Sequence, residues 1–161
     1  MDGLKRKWNE FKGLELLLLF AFGPLKVGVC GDDKFLKKVQ KILEREQSNI
    51  TEIKKEIPEK LKTAWPNLTR IAEKNNTTPF STKTVLEYIF QDHNKFASSL
   101  CRVKGGIVKK IDSKNKIIEI ETGGTVKFLK NENIKKGDYI SFHREWLIKK
   151  ITLTQFNELR K

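Results

Sequence analysis

At 161 residues the chain can bury a core without staples, and two cysteines are too few for a disulfide framework. Charged residues make up 33%, and the longest apolar run, Leu16 to Phe22, is far short of the roughly 18 residues that cross a bilayer. The net charge of +13 raises nucleic acid as a partner, but 27 Lys stand against 6 Arg, and the basic residues divide 18 before residue 101 and 15 from there on. A lysine-rich composition accounts for that charge as well as a binding surface does. The first residues, Met1 to Trp8, carry charge without a signal-peptide cleavage pattern, so a cytoplasmic protein with reduced thiols and no membrane partner is expected.

Glu10 to Phe22 reads as a buried helix, with Phe11, Leu14, Leu18 and Phe22 at helical spacing and Gly23-Pro24 stopping it. Cys30 follows in a glycine-bearing loop. Asp32 or Asp33 caps a second helix with Phe35, Leu36, Val39, Ile42 and Leu43 on one face. A third begins near Ile50 or Thr51 and carries Pro58 inside it. Trp65-Pro66 marks a corner before a helix from Asn67 to Lys74. Ser81 or Thr82 caps another through about Gln91, and Asp92 to Leu100 is a polar linker in which His93 is read as solvated.

From Cys101 onward the pattern changes to short β-type runs between glycine-bearing turns. Arg102 to Ile111 is expected as a long strand bent at Gly105-Gly106, then Lys116 to Glu121 and, after Thr122-Gly123-Gly124, Thr125 to Leu129. A polar loop, Asn131 to Lys136, leads to strands Tyr139–His143 and Leu147–Ile151. Thr152 to Gln155 fits a capping box opening a short final helix, Leu153 to Arg160. The expected fold is α+β: a helical N-terminal domain, residues 1–98, packed on a small five-stranded antiparallel β-barrel of OB-like type, residues 99–161, with a short C-terminal helix. The apolar faces of the helices, such as Val85, Leu86, Ile89 and Phe90, call for a shared interface with the barrel.

No Ser/His/Asp set, zinc Cys-x-x-Cys pair or phosphate loop is present, so an enzyme is not expected. Cys101 is either a small packed side chain at a strand start or a reactive or ligating thiolate. His143 either faces solvent at a strand end or acts beside Cys101. Cys30 stands at an expected helix N-terminus, where the helix dipole activates a thiol, although a packed cysteine also fits. Lys104, Lys109, Lys110 and Lys127 would serve a nucleic-acid-binding barrel.

The barrel stretch resembles the HypC/HupF family of hydrogenase-maturation chaperones. The resemblance covers about 50 residues: Cys101 and four residues before Gly106, the Gly123-Gly124 turn, and Gly137-Asp138 before a strand ending in His143. Gly105 stands where that family has proline, Glu145-Trp146 replaces its Gly-Phe, and the family's cysteine is a chain terminus whereas Cys101 is internal. Most of the chain also resembles an uncharacterised bacterial family joining a helical part to such a barrel, through Phe20-Ala21-Phe22-Gly23-Pro24, Val29-Cys30-Gly31, Ala64-Trp65-Pro66 and Cys101-Arg102-Val103. The chaperone resemblance implies an accessory protein in metalloenzyme maturation. It would contact a protein partner, either a maturation factor or a metalloenzyme precursor, and hold iron transiently through Cys101 and His143. A basic nucleic-acid-binding barrel and a metal-free interaction module are the alternatives.

Overall fold

The computed structural model of the chain describes residues 2–29, 31–45, 50–130 and 133–161. Its longest element, helix α1 (Asp2–Lys26), does not stop at Gly23-Pro24 but runs through both. Two local facts permit this. Pro24 withholds the N–H that the Phe20 carbonyl would accept and its ring crowds that carbonyl, but the carbonyl is bonded from elsewhere, by His143 Nδ1 at 2.8 Å. Gly23 lies against the barrel, where an added Cβ would stand 2.2 Å from the His143 carbonyl oxygen. The second half of α1 is apolar almost all round, and Leu14, Leu17, Leu18, Phe20 and Phe22 are buried. A helix hydrophobic on every side belongs at the centre of a core. Accordingly α1 touches α2 and α5 on one side and β4 and β5 on the other.

Asp32 caps α2 (Asp33–Leu43), its Oδ1 accepting the Phe35 N–H at 2.8 Å. Helix α3 (Ile50–Lys60) contains Pro58, and α4 (Ala64–Lys74) begins one residue before Trp65-Pro66, so that proline falls in a first turn where no N–H is missed. Ser81 caps α5 (Thr82–Glu87). The chain then makes a π-type turn, Tyr88–Asp92, and continues as α6 (His93–Phe96), so the expected polar linker is helical through Phe96.

The strands are β1 (Lys104–Asp112), β2 (Ile117–Ile120), β3 (Thr125–Lys127), β4 (Tyr139–His143) and β5 (Trp146–Ile151). They close in the order β1-β2-β3-β5-β4, an OB-like ring. Every pair is antiparallel except β3–β5, which meet in parallel at Lys127 and Trp146. The register shift in β1 falls between Val108 and Lys110, not at the glycine pair. Gly105 and Gly106 make room instead: a Cβ would stand 2.7 Å from the Phe156 ring at the first and 2.9 Å from Ile120 at the second. Phe156 belongs to α7 (Leu153–Leu159), opened by the Thr152/Gln155 capping box.

Val108, Ile118, Ile120, Val126 and Ile140 fill the barrel. A second core gathers the helices, and Val103 and Ile148 of the barrel half join it, with Trp146 packed against it. The two halves therefore share apolar surface.

Candidate functional site

The π-type turn decides the site. A wide turn inside a helix re-aims the residues that follow it, and here His93 and Asn94 reach the connection that enters the barrel. Asn94 clamps that connection: its side chain donates to the Val103 carbonyl and accepts the Val103 N–H, both at 2.8 Å. One turn earlier Cys101 N–H donates to the Ser98 carbonyl at 2.9 Å. Cys101 is thereby fixed between the helical half and β1.

From the other side comes the β4–β5 hairpin. Its two turn residues, Arg144 and Glu145, both hold left-handed backbone, at φ 50° and 67°. Such hairpins favour Asn-Gly or Asp-Gly, because a side chain at positive φ crowds the backbone. The turn delivers His143 and Arg144 to Cys101. Arg144 Nη2 donates to Cys101 Sγ at 2.9 Å. Arg144 Nε is buried and has no hydrogen-bond partner among the described residues.

His143 meets Cys101 through its backbone rather than its thiol. The Cys101 carbonyl oxygen lies 2.7 Å from His143 Nε2 and 2.8 Å from His93 Nε2. A neutral imidazole has one N–H, so His143 can serve only one of its two carbonyls. Pro24 leaves the Phe20 carbonyl short of its helical donor, which assigns the proton to His143 Nδ1. His93 Nε2–H then serves Cys101, with the Tyr88 hydroxyl 3.4 Å from His93 Nδ1 as its donor. Burial, together with the neighbouring His93 and Arg144, pulls the His143 pKa down to about 4, against the opposing bonds to the Phe20 and Cys101 carbonyls. Burial also lowers that of His93. Both rings are thus neutral near pH 7. Phe20 stacks on His143 with centroids 4.5 Å apart and packs edge-on to His93 at 4.8 Å.

A cavity of about 670 Å3 opens over this cluster, between α1, the α3–α4 turn and the π-type turn. Its walls include Phe20, Leu61, Ala64 and Phe96, Cys101 and His143 reach its lining, and the Asp32–Lys60 ion pair borders it. That volume and apolar lining suit a small ligand or a short side-chain anchor.

The structure therefore brings Cys101 and His143 together, but as a backbone contact beneath the helical half: His143 is 1% exposed and is neither a rim group nor a solvated one. His93, expected in solvent, is half-buried against Phe20 and His143. Arg144 was not marked by any motif; the unusual Arg-Glu pair in a tight hairpin is the one signal that could have singled it out. Cys30 lies outside the described residues. Lys104, Lys109, Lys110 and Lys127 are all exposed, spread over β1 and β3 on either side of β2. Lys127 Nζ rests 5.9 Å from the centroid of the Trp146 ring. Comparison of the chain with protein-family models, with curated proteins and with solved structures finds no match.

Proposed function

We propose that this chain is an accessory protein of metalloenzyme assembly, of the kind that serves hydrogenase maturation. It works by protein–protein contact and holds an iron fragment at Cys101 in transit, without turnover of its own. The pairing of Cys101 with Arg144 carries the reading. Arg144 keeps a left-handed backbone that costs a non-glycine residue about 1–2 kcal/mol, places one donor on Sγ, and keeps a second, buried donor beside it that has no partner among the described residues. A buried donor without a partner calls for an explanation. A soft sulfur ligand with N–H donors at its side is what an iron centre bearing strong-field, hydrogen-bond-accepting ligands requires.

Among the described residues the cluster offers such a cargo one ligand, Cys101. The ring nitrogens of His143 face carbonyls, and among the described residues no three His, Cys, Asp or Glu side chains converge on a metal position. The remaining coordination belongs to the ligands the fragment brings and to the partner. That division suits a carrier better than a resident metal centre.

The test is anaerobic recovery of the tagged full chain from cells producing a hydrogenase. The expected result is bound iron with infrared bands of iron-bound diatomic ligands, both lost in Cys101→Ala while the unfolding midpoint holds. Wild-type protein free of iron, or equal iron and equal bands in Cys101→Ala, would overturn the reading.

A further inference from the structure

Helix α1 has two different ends. Its second half is the buried hub of the core, but residues 2–9 are exposed on every side. In these turns Leu4, Trp8 and Phe11 recur at i, i+4 and i+7 and so share one face. Leu4 is 77% exposed and Trp8 62%. Large apolar side chains projecting together mark a docking surface rather than an unfinished core.

The charge around this face is basic. Lys5, Arg6, Lys7 and Lys12 stand against Asp2 and Glu10 on the same turns. Glu10 is occupied by Lys54 at 3.1 Å and Arg6 at 3.8 Å, which leaves Lys5, Lys7 and Lys12 facing outward. Lys149 of β5 borders the same groove as Trp8 and Lys12, with Glu15 the one acid along it among the described residues.

We propose that this projecting end docks on an anionic phospholipid surface. The Leu4–Trp8–Phe11 stripe enters the acyl boundary, and the lysines meet the headgroup phosphates. A tryptophan on an apolar stripe flanked by lysines is the composition of an interfacial helix. Among the described residues no helix is long and apolar enough to cross a membrane, so the proposed contact is peripheral.

Trp8 argues for lipid over nucleic acid. Its ring already stacks on Phe11, with centroids 5.8 Å apart, and carries the Lys12 ammonium 5.0 Å from its centroid. A ring face engaged within its own helix is a poor platform for a base. Its free edge, and Leu4 beside it, have apolar surface to give to acyl chains.

The experiment is co-sedimentation of the full chain with vesicles. Phosphatidylcholine vesicles containing phosphatidylserine should retain the protein at about 0.1 M salt, where screening is modest, and pure phosphatidylcholine vesicles should not. The triple variant Lys5→Gln, Lys7→Gln, Lys12→Gln should bind on the order of 100-fold more weakly. The double variant Leu4→Ser, Trp8→Ser should lose at least roughly tenfold, with an unfolding midpoint lowered only by the loss of the Trp8–Phe11 stack, since both side chains are mostly exposed. Absence of binding to the anionic vesicles overturns the proposal. So does binding indifferent to Leu4 and Trp8, or a preference for a single-stranded oligonucleotide that depends on Trp8.

Discussion

Pro24 and His143 are joined through a single carbonyl oxygen. The proline withholds the N–H that Phe20 would bond in an unbroken helix, and His143 Nδ1 donates to that oxygen at 2.8 Å. The imidazole thereby completes a helix belonging to the other half of the chain. Gly23, one residue before the proline, supplies the clearance that lets the hairpin come so close.

This coupling is measurable. His143→Phe keeps a ring to stack on Phe20 but leaves the Phe20 carbonyl unpaired, a cost of about 1–3 kcal/mol. Pro24→Ala returns an N–H to that carbonyl. In the double variant about 1 kcal/mol of the loss should therefore be recovered. Chemical denaturation of the four proteins of the cycle measures it, and strictly additive costs would sink the idea.

Stability should depend on pH through His143. Its folded pKa of about 4 lies below the ordinary value of 6.5, so between those limits the unfolded chain binds the proton and the folded one does not. Stability therefore rises with pH across that window and falls as acid is added, by about 3 kcal/mol in all. His93, also lowered by burial, contributes in the same direction. Urea midpoints from pH 4 to 7 should show this slope, and His143→Gln should flatten it.

Gly23→Ala tests the contact between the halves. The new Cβ would stand 2.2 Å from the His143 carbonyl oxygen, where backbone cannot yield cheaply. Overpacking of this kind costs about 1–3 kcal/mol or more. The urea midpoint should fall accordingly. A midpoint equal to that of the parent protein would mean that α1 does not seat against the hairpin as described.

Residues 144 and 145 separate stability from function. Glycine removes the penalty of a left-handed backbone, so Glu145→Gly should stabilise by about 1 kcal/mol. Arg144→Gly gains the same relief but takes both the Nη2 donor and the unpaired Nε away from Cys101 Sγ. Iron retention in the recovery experiment should drop in Arg144→Gly and persist in Glu145→Gly. Equal retention in the two would show that the guanidinium plays no part.

Much of the architecture was legible because it is local. Asp32 and Ser81 announce their helices by accepting N–H groups three residues ahead, and the Thr152/Gln155 box does the same for α7. The barrel strands follow from alternating residues and glycine turns. The closure of β3 beside β5 is not local: it pairs Lys127 with Trp146 across the whole β4 hairpin, so an all-antiparallel ring was the natural expectation.

The sequence by itself determined the helical half, the five strands, the final helix and the presence of Cys101 and His143 near the barrel's ends. Those features depend on periodicity, caps and turns, which neighbouring residues carry. Only the tertiary structure decided that α1 passes through Gly23-Pro24, because the donor that replaces the missing N–H lies 123 residues from Phe20. It also decided that His93 is half-buried and that Arg144 rather than His143 holds the thiol. A π-type turn rotates His93 inward, and a strained hairpin aims Arg144. Neither event leaves a period in the sequence, since each is held in place by partners that only the packed chain brings together.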